Sequence, residues 1–206
     1  MDYTRLYFIR HGQVAGHQVM RFNGHTDVDL SPLGTAQMEA AAEDLAKVEF
    51  SAVYSSDLKR AMYGGDALVR NRDIKLEINP SLREIFFGDW EGLTFDDVES
   101  RYPGALEARR TNLAGFKPPG GETIKEFWDR INSAVTQILF KHRGSNVAIA
   151  AHSAVNRVIL LQALGCPLEK IWRIHQDYGC LNIVDYYEED LCLVNLVNGP
   201  NRVQGK

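Results

Sequence analysis

A chain of 206 residues with 45% hydrophobic and 24% charged side chains is long enough for one well-filled core, and no apolar run in it approaches the length of a membrane span. Its net charge of −4 argues against nucleic acid or an anionic membrane as the main partner, because both call for a basic surface; a small anion stays compatible where positive charge is concentrated locally. Cys166, Cys180 and Cys192 are odd in number and form no CxxC pair, so neither a disulfide framework nor a zinc knuckle is suggested and a cytoplasmic location is expected.

The first element is the run Leu6 to Ile9, which reads as a strand buried on both faces, as in parallel sheets covered by helices. It is too short for the core of a signal peptide. It stops abruptly at Arg10, His11 and Gly12, where a ligand of such a sheet would bind and where glycine permits a sharp turn or a close approach. Taken alone, the tripeptide also fits a surface turn with two ordinary polar residues. A polar loop from Gln13 to Leu30 leads to "SPLGTAQMEAAAEDLAKV", with Ser31 as N-cap, Pro32 at the first helical position, and Leu33, Gln37, Ala40, Ala41, Leu45 and Val48 at helical spacing. "SAVYSS" is a second strand, followed by a helix from about Asp57 that carries Arg60 in its first turn. Strand, helix, strand, helix implies parallel strands joined by crossovers.

Residues 71 to 121 are less regular and read as an insertion walling the site, with a helix from Thr94 to Tyr102 and the Pro/Gly-rich loop "FKPPGGE". Thr123 and Glu126 form a capping box ahead of a long amphipathic helix that Gly144 ends. "NVAIAA" is a third buried strand and it, too, ends in a histidine, His152. Ala154 to Leu164 is helical and is closed by Gly165. "LNIVDYY" and "LCLVNLV", separated by "EED", form an antiparallel hairpin at the sheet edge. The expected fold is a single α/β domain over 1–206, a three-layer sandwich with a mostly parallel sheet, helices on both faces, an antiparallel edge strand and a helical insertion over the site.

Three strands therefore end alike: Arg10-His11, then Ser56-Asp57 with Arg60 one turn on, then His152-Ser153. If they are parallel neighbours, two histidines and two arginines gather at one rim. Arginine forks match phosphate oxygens and helix N-termini add fixed positive dipoles, so this rim reads as a phosphate site.

The Arg-His-Gly after a strand, "SSDLKRA" from Ser55, "LREIFFGDWEG" from Leu82, "GGET" from Gly120 and "AHS" from Ala151, in this order and spacing, resemble the histidine phosphatase superfamily, the phosphoglycerate-mutase-like fold. The resemblance runs from about Tyr7 to about Tyr186. It implies that His11 is the nucleophile, that Arg10, Arg60 and His152 hold the phosphoryl group, and that Glu84 is the proton donor, all without metal or cofactor. A neutral imidazole can form a phosphohistidine, three cationic or donor groups can stabilise the equatorial oxygens, and a carboxylic acid can protonate the leaving alkoxide. Gly12, Gln13, Arg21, Asn23, Gly24 and Ser153 are expected around the substrate, with Arg21 and His25 at its mouth. His17, His25, His142 and His175 read most simply as surface or structural histidines, the mouth being a second reading for His25. Neither HExxH nor paired cysteines accompany His11 and His152, which disfavours zinc.

Two departures stand out. Many members carry Trp-Asn shortly after the first histidine, where this chain has Gly16 and His17; a glycine commonly follows the second histidine, where Ser153 and Ala154 stand. Within the family, "EIFFGDWEG" with "WRIHQDYGCLNIVDY" looks most like the α-ribazole phosphatase branch. Phe86, Phe87, Trp90, Trp172 and Tyr178 would then wall the site with rings. Open alternatives are a broad-specificity phosphatase, a cofactor-dependent phosphoglycerate mutase and a silent phosphate-binding module. The expected partner is a small phosphorylated metabolite, and a homodimer is left open.

Overall fold

The computed structural model describes residues 3–188 and 191–203. Strands β1 (Tyr3–Arg10), β2 (Ala52–Ser55), β3 (Leu76–Ile78), β4 (Asn146–Ala151), β5 (Leu181–Tyr187) and β6 (Cys192–Gly199) form one sheet in the order β3-β2-β4-β1-β5-β6. The first four are mutually parallel; β5 runs antiparallel to β1, and β6 antiparallel to β5. Helices α1 (Pro32–Asp44) and α2 (Lys59–Val69) pack on one face, and α5 (Ile124–Lys141) and α6 (Ser153–Ala163) on the other. Alternation along β1 explains its unbroken apolar run: Leu6 and Phe8 join the α5–α6 core, while Tyr7 and Ile9 join the α1–α2 core.

Side-chain capping accounts for half of the α-helix starts among the described residues. The Ser31 hydroxyl accepts the Gly34 N–H ahead of α1, and Thr123 with Glu126 closes a reciprocal capping box at α5. Helix α2 begins at Lys59, later than expected, because the Asp57 carboxylate is held by the Arg83 guanidinium at 2.5 and 2.6 Å and Leu58 occupies the cap position.

The segment 71–121 differs from its irregular reading in two respects. Leu76–Ile78 pairs with Val53–Ser55 and extends the sheet, a strand of three residues that carries no readable periodicity. Besides α3 (Phe95–Arg101), which starts from a Thr94–Asp97 capping box, a second short helix, α4 (Ala105–Thr111), follows Gly104. None of the α4 residues is buried, so it shows no apolar stripe. This insertion has a small core of its own, where Phe22, Trp90 and Val98 pack with Phe87, Tyr102 and Phe116. Two residues of the expected hairpin turn, 189 and 190, lie outside the described residues. No helix among the described residues is long and apolar enough to cross a membrane.

Candidate active site

Sheet register brings the three strand ends together. Arg10 pairs with Ala151 and Ser55 with Ala150, and the His11 N–H donates to the Ala151 carbonyl at 2.9 Å. His11 and His152 consequently lie with ring centroids 5.3 Å apart, both buried.

Each imidazole is held in one orientation. His11 Nδ1 lies 2.8 Å from the Gly12 carbonyl, which can only accept, so Nδ1 carries the proton and Nε2 keeps the lone pair. Burial, together with the Arg60 and Arg10 charges, holds the His11 pKa well below the usual histidine value. His152 Nε2 meets the Ser56 hydroxyl at 2.8 Å, while its buried Nδ1 has no hydrogen-bond partner. Ser56 Oγ also accepts the Leu58 N–H at 3.4 Å; with the hydroxyl proton on His152 Nε2, Nδ1–H is left as a donor for a ligand. Burial first, then Arg60, His11 and Arg10, lowers the His152 pKa well below its usual value.

The two arginines are held by groups of no net charge. Arg60, 1% exposed, donates to the carbonyls of Thr26 (2.7 Å), Gly24 (2.7 Å) and Asn23 (3.3 Å). That loop is itself organised by Glu91, whose carboxylate accepts from the N–H groups of Gly24, His25, Thr26 and Phe87 and from the Thr26 hydroxyl. Arg10 donates to the Gln176 carbonyl at 2.6 Å, and its buried Nε has no partner. Unsatisfied buried donors are uncommon in folded proteins, and two of the five unpartnered buried side-chain atoms among the described residues belong to Arg10 and His152.

Glu84 projects into the cleft with its oxygens on the N–H groups of Ile85 (3.0 Å) and Ala154 (3.1 Å), the latter at the start of α6. Its backbone is fixed by Arg130 of α5, which donates to the carbonyls of Ser81, Arg83 and Glu84 and pairs with Glu122 of the "GGET" stretch at 2.5 Å. His25 Nε2–H donates to the Glu84 carbonyl at 3.0 Å while the ring stacks on Phe86. His25 thus braces the Glu84 backbone, the structural of its two readings, and does not line the mouth.

Above these groups lies a cleft of about 250 Å³, lined by Arg10, His11, Arg60 and Glu84 together with Val14, Met20, Phe87, Trp172 and Tyr178. Arg21, Asn23 and Ser153 also line it, as does His17, which the sequence did not single out as a contact. Gln13 does not: its side-chain oxygen takes the Ser31 hydroxyl and its N–H goes to Gln37, so it ties the loop to α1. Gly12 and Gly24 act through their backbones. A Cβ on Gly12 would stand 2.1 Å from the Gly34 carbonyl oxygen, and one on Gly24 would stand 1.8 Å from that of Ile85. Of the expected rings, Trp90 is wholly buried in the insertion core and Phe86 lies against His25; Phe87, Trp172 and Tyr178 face the cleft. Arg157 is a lining residue that sequence reasoning missed, readable only as the i+4 partner of Ser153 on α6.

A sequence family described as the histidine phosphatase superfamily, branch 1, matches residues 6–199. The chain belongs to the histidine phosphatase superfamily. Among members of the superfamily, the glucosyl-3-phosphoglycerate phosphatase of Mycolicibacterium vanbaalenii is 35% identical over 176 residues, 82% of this chain and 78% of its own. The Bifunctional protein of Mycobacterium tuberculosis is 32% identical over 196 residues, 95% of this chain. The chain spans only 54% of that relative's length. In fold, the α-ribazole phosphatase of Shigella flexneri superposes with a TM-score of 0.88 at 25% identity, over 98% of this chain and 99% of its own.

Against the usual histidine phosphatase pattern, both departures now have a location. His17 stands exposed at the cleft mouth, and Gly16 adopts φ +72° with open space around it. Ser153 is the first residue of α6 rather than its cap, and its hydroxyl accepts from Arg157. Its oxygen is engaged by Arg157, and its own O–H is left to donate.

Proposed function

We propose that this protein is a phosphomonoesterase that works without a metal, through a phosphohistidine on His11. The observation that carries the reading is a cleft-lining His11 whose Nδ1–H is spent on the Gly12 carbonyl, which leaves the Nε2 lone pair, with its ring 5.3 Å from that of His152 and next to an Arg10 whose Nε has no partner. Phosphoryl transfer needs little from a protein beyond positioning and charge stabilisation, and these groups offer both. His11 Nε2 attacks phosphorus, the N–P bond forms as the ester P–O bond breaks, and Glu84 gives the leaving alkoxide its proton. Water, deprotonated by the same carboxylate, then attacks phosphorus; the P–N bond breaks and His11 returns to its starting state. Among the described residues no three His, Cys, Asp or Glu side chains gather as a metal site.

For substrate we favour a small phosphorylated metabolite carrying a flat ring, with α-ribazole 5′-phosphate as the leading candidate. Phe87 and Trp172, which line the cleft, support this, as does the likeness to the Shigella flexneri phosphatase. Stacking on one such ring contributes roughly 1–3 kcal/mol, one to two orders of magnitude in specificity. Phosphate release should then give a kcat/KM for α-ribazole 5′-phosphate at least about tenfold above those for ribose 5-phosphate and 3-phosphoglycerate. Equal values would leave a phosphatase of broad specificity. Conversion of 3-phosphoglycerate to its isomer without free phosphate would make the protein a mutase.

A further inference from the structure

Resting on the reading of the cleft as a phosphoryl-transfer site, we propose that the turn from Gln176 to Cys180 is a clamp for Arg10, with Tyr178 as a positioning residue that acts through that guanidinium. Arg10 forms no ion pair among the described residues. Two neutral groups hold it instead. The guanidinium sits over the Tyr178 ring, with Cζ 3.8 Å from the ring centroid, and the Gln176 carbonyl takes Nη1 at 2.6 Å. This grip leaves the Nε and Nη2 edge unspent, and that edge is the fork that meets two phosphate oxygens at once. A carboxylate in place of the ring would fix the side chain equally well but would neutralise the charge that the phosphoryl group needs. A neutral ring and a carbonyl immobilise the cation and leave its charge available.

The clamp is built to stay in place. The Arg10 N–H donates to the Cys180 carbonyl at 3.1 Å, and the Gly179 N–H to the His11 carbonyl at 3.2 Å, so the turn is stitched to the dipeptide it serves. Gln176 is buried, and its amide exchanges hydrogen bonds with that of Asn182 on β5 at 2.8 and 2.9 Å. Asp177 is held at both ends by Asn198 of β6, which accepts its N–H at 2.7 Å and donates to its carboxylate at 2.8 Å. Asn198 is the only non-glycine among the described residues with positive φ, at 52°, a conformation of some cost that aims its amide at this turn.

The clamp and a simple aromatic wall predict different things. A wall contacts the leaving group, so its loss is felt only by ring-bearing substrates; a clamp acts on the phosphoryl group itself. Inorganic orthophosphate is therefore the probe, measured by calorimetry and as a competitive inhibitor. Tyr178→Ala should weaken orthophosphate binding about tenfold and lower kcat/KM by a similar factor for nitrophenyl phosphate, ribose 5-phosphate and α-ribazole 5′-phosphate alike. Tyr178→Phe should stay within about twofold of the parent on every measure, because the ring face is kept. In an Arg10→Lys background, Tyr178→Ala should cost no more than about a further twofold, since a positioning residue has nothing left to position. Should Tyr178→Ala fail to fold, Tyr178→Leu, which fills the space without a π face, is expected to lose orthophosphate affinity several-fold. Unchanged orthophosphate affinity in the folded variant overturns the clamp, as does a loss confined to the ring-bearing substrate or a full tenfold loss in the Arg10→Lys background. If the parent protein releases no phosphate from any monoester, the hydrolase reading falls alone, and orthophosphate binding still decides the clamp.

Discussion

Acidification from pH 7.5 to 5.5 is expected to remove about 3 kcal/mol of folding stability through His11 and His152 alone. Both rings are buried, and the arginines beside them repel a second positive charge, so both stay neutral in the native state well below the pH at which a free histidine protonates. In the unfolded chain each titrates near its ordinary value of about 6.5. With the folded pKa depressed, the stability is fully present above pH 6.5 and is lost as pH falls toward the folded value. At pH 5.5 the unfolded chain gains about 1.4 kcal/mol from protonating each ring, and the two together draw on a total that is about 5–15 kcal/mol for a typical domain. Urea unfolding followed by circular dichroism at pH 7.5, 6.5 and 5.5 measures the effect. Phosphate must be kept out of the buffer, because a ligand of the native state would mask the loss. Comparison with His11→Gln, His152→Gln and the double variant isolates the two rings from the carboxylates and other histidines, which titrate in all four proteins. The double variant should lose about 3 kcal/mol less than the parent over this interval, and each single variant about half of that difference. A double variant that loses as much as the parent would refute the claim that the rings are held neutral.

Other outcomes follow from the same geometry. His11→Ala should remain folded and retain less than about a tenth of parental turnover, as phosphate release and circular dichroism would show; a higher rate would remove the nucleophile assignment. Glu84→Gln should slow hydrolysis of an alkyl or sugar phosphate far more than that of nitrophenyl phosphate, whose phenolate leaves without a proton, and equal losses would mean that Glu84 is not the acid. Glu91→Ala strips the acceptor from five donors in the loop that holds Arg60; a fall of at least about 2 kcal/mol in unfolding free energy, with weaker orthophosphate binding, is expected, and parental values for both would show the loop to be organised otherwise.

What was legible in the sequence is what local chemistry determines. Ser31 and Thr123 cap the helices they precede, and the apolar runs that end in Arg10-His11 and His152 are neighbouring strands. The supports of the site were not legible, because each is a long-range relation. Glu91 reads as one more acid in "GDWEG", yet it orders a loop more than sixty residues earlier in the chain. Asn198 looks like an ordinary strand residue until its backbone conformation and its hold on Asp177 are seen. Trp90 and Trp172 carry the same side chain, and only the insertion's own core decides that the first is buried at 0% exposure and the second stands 45% exposed at the cleft. Helix α4 escaped for the opposite reason: with no buried residue, it leaves no pattern to read.

The position of β1 between β4 and β5 has a consequence for the chain as it is made. Tyr3 to Arg10 emerges from the ribosome before the rest of the sheet, yet its two neighbours are residues 146–151 and 181–187, and the turn beside Arg10 is tied to Asn198 as well. At about 5–20 residues per second, the apolar strand waits roughly ten to forty seconds for its second partner, a window in which a nascent chain invites chaperones or misassociation. A nascent chain that stops short of β5 lacks the second neighbour of β1, and one that stops short of Asn198 lacks its hold on Asp177.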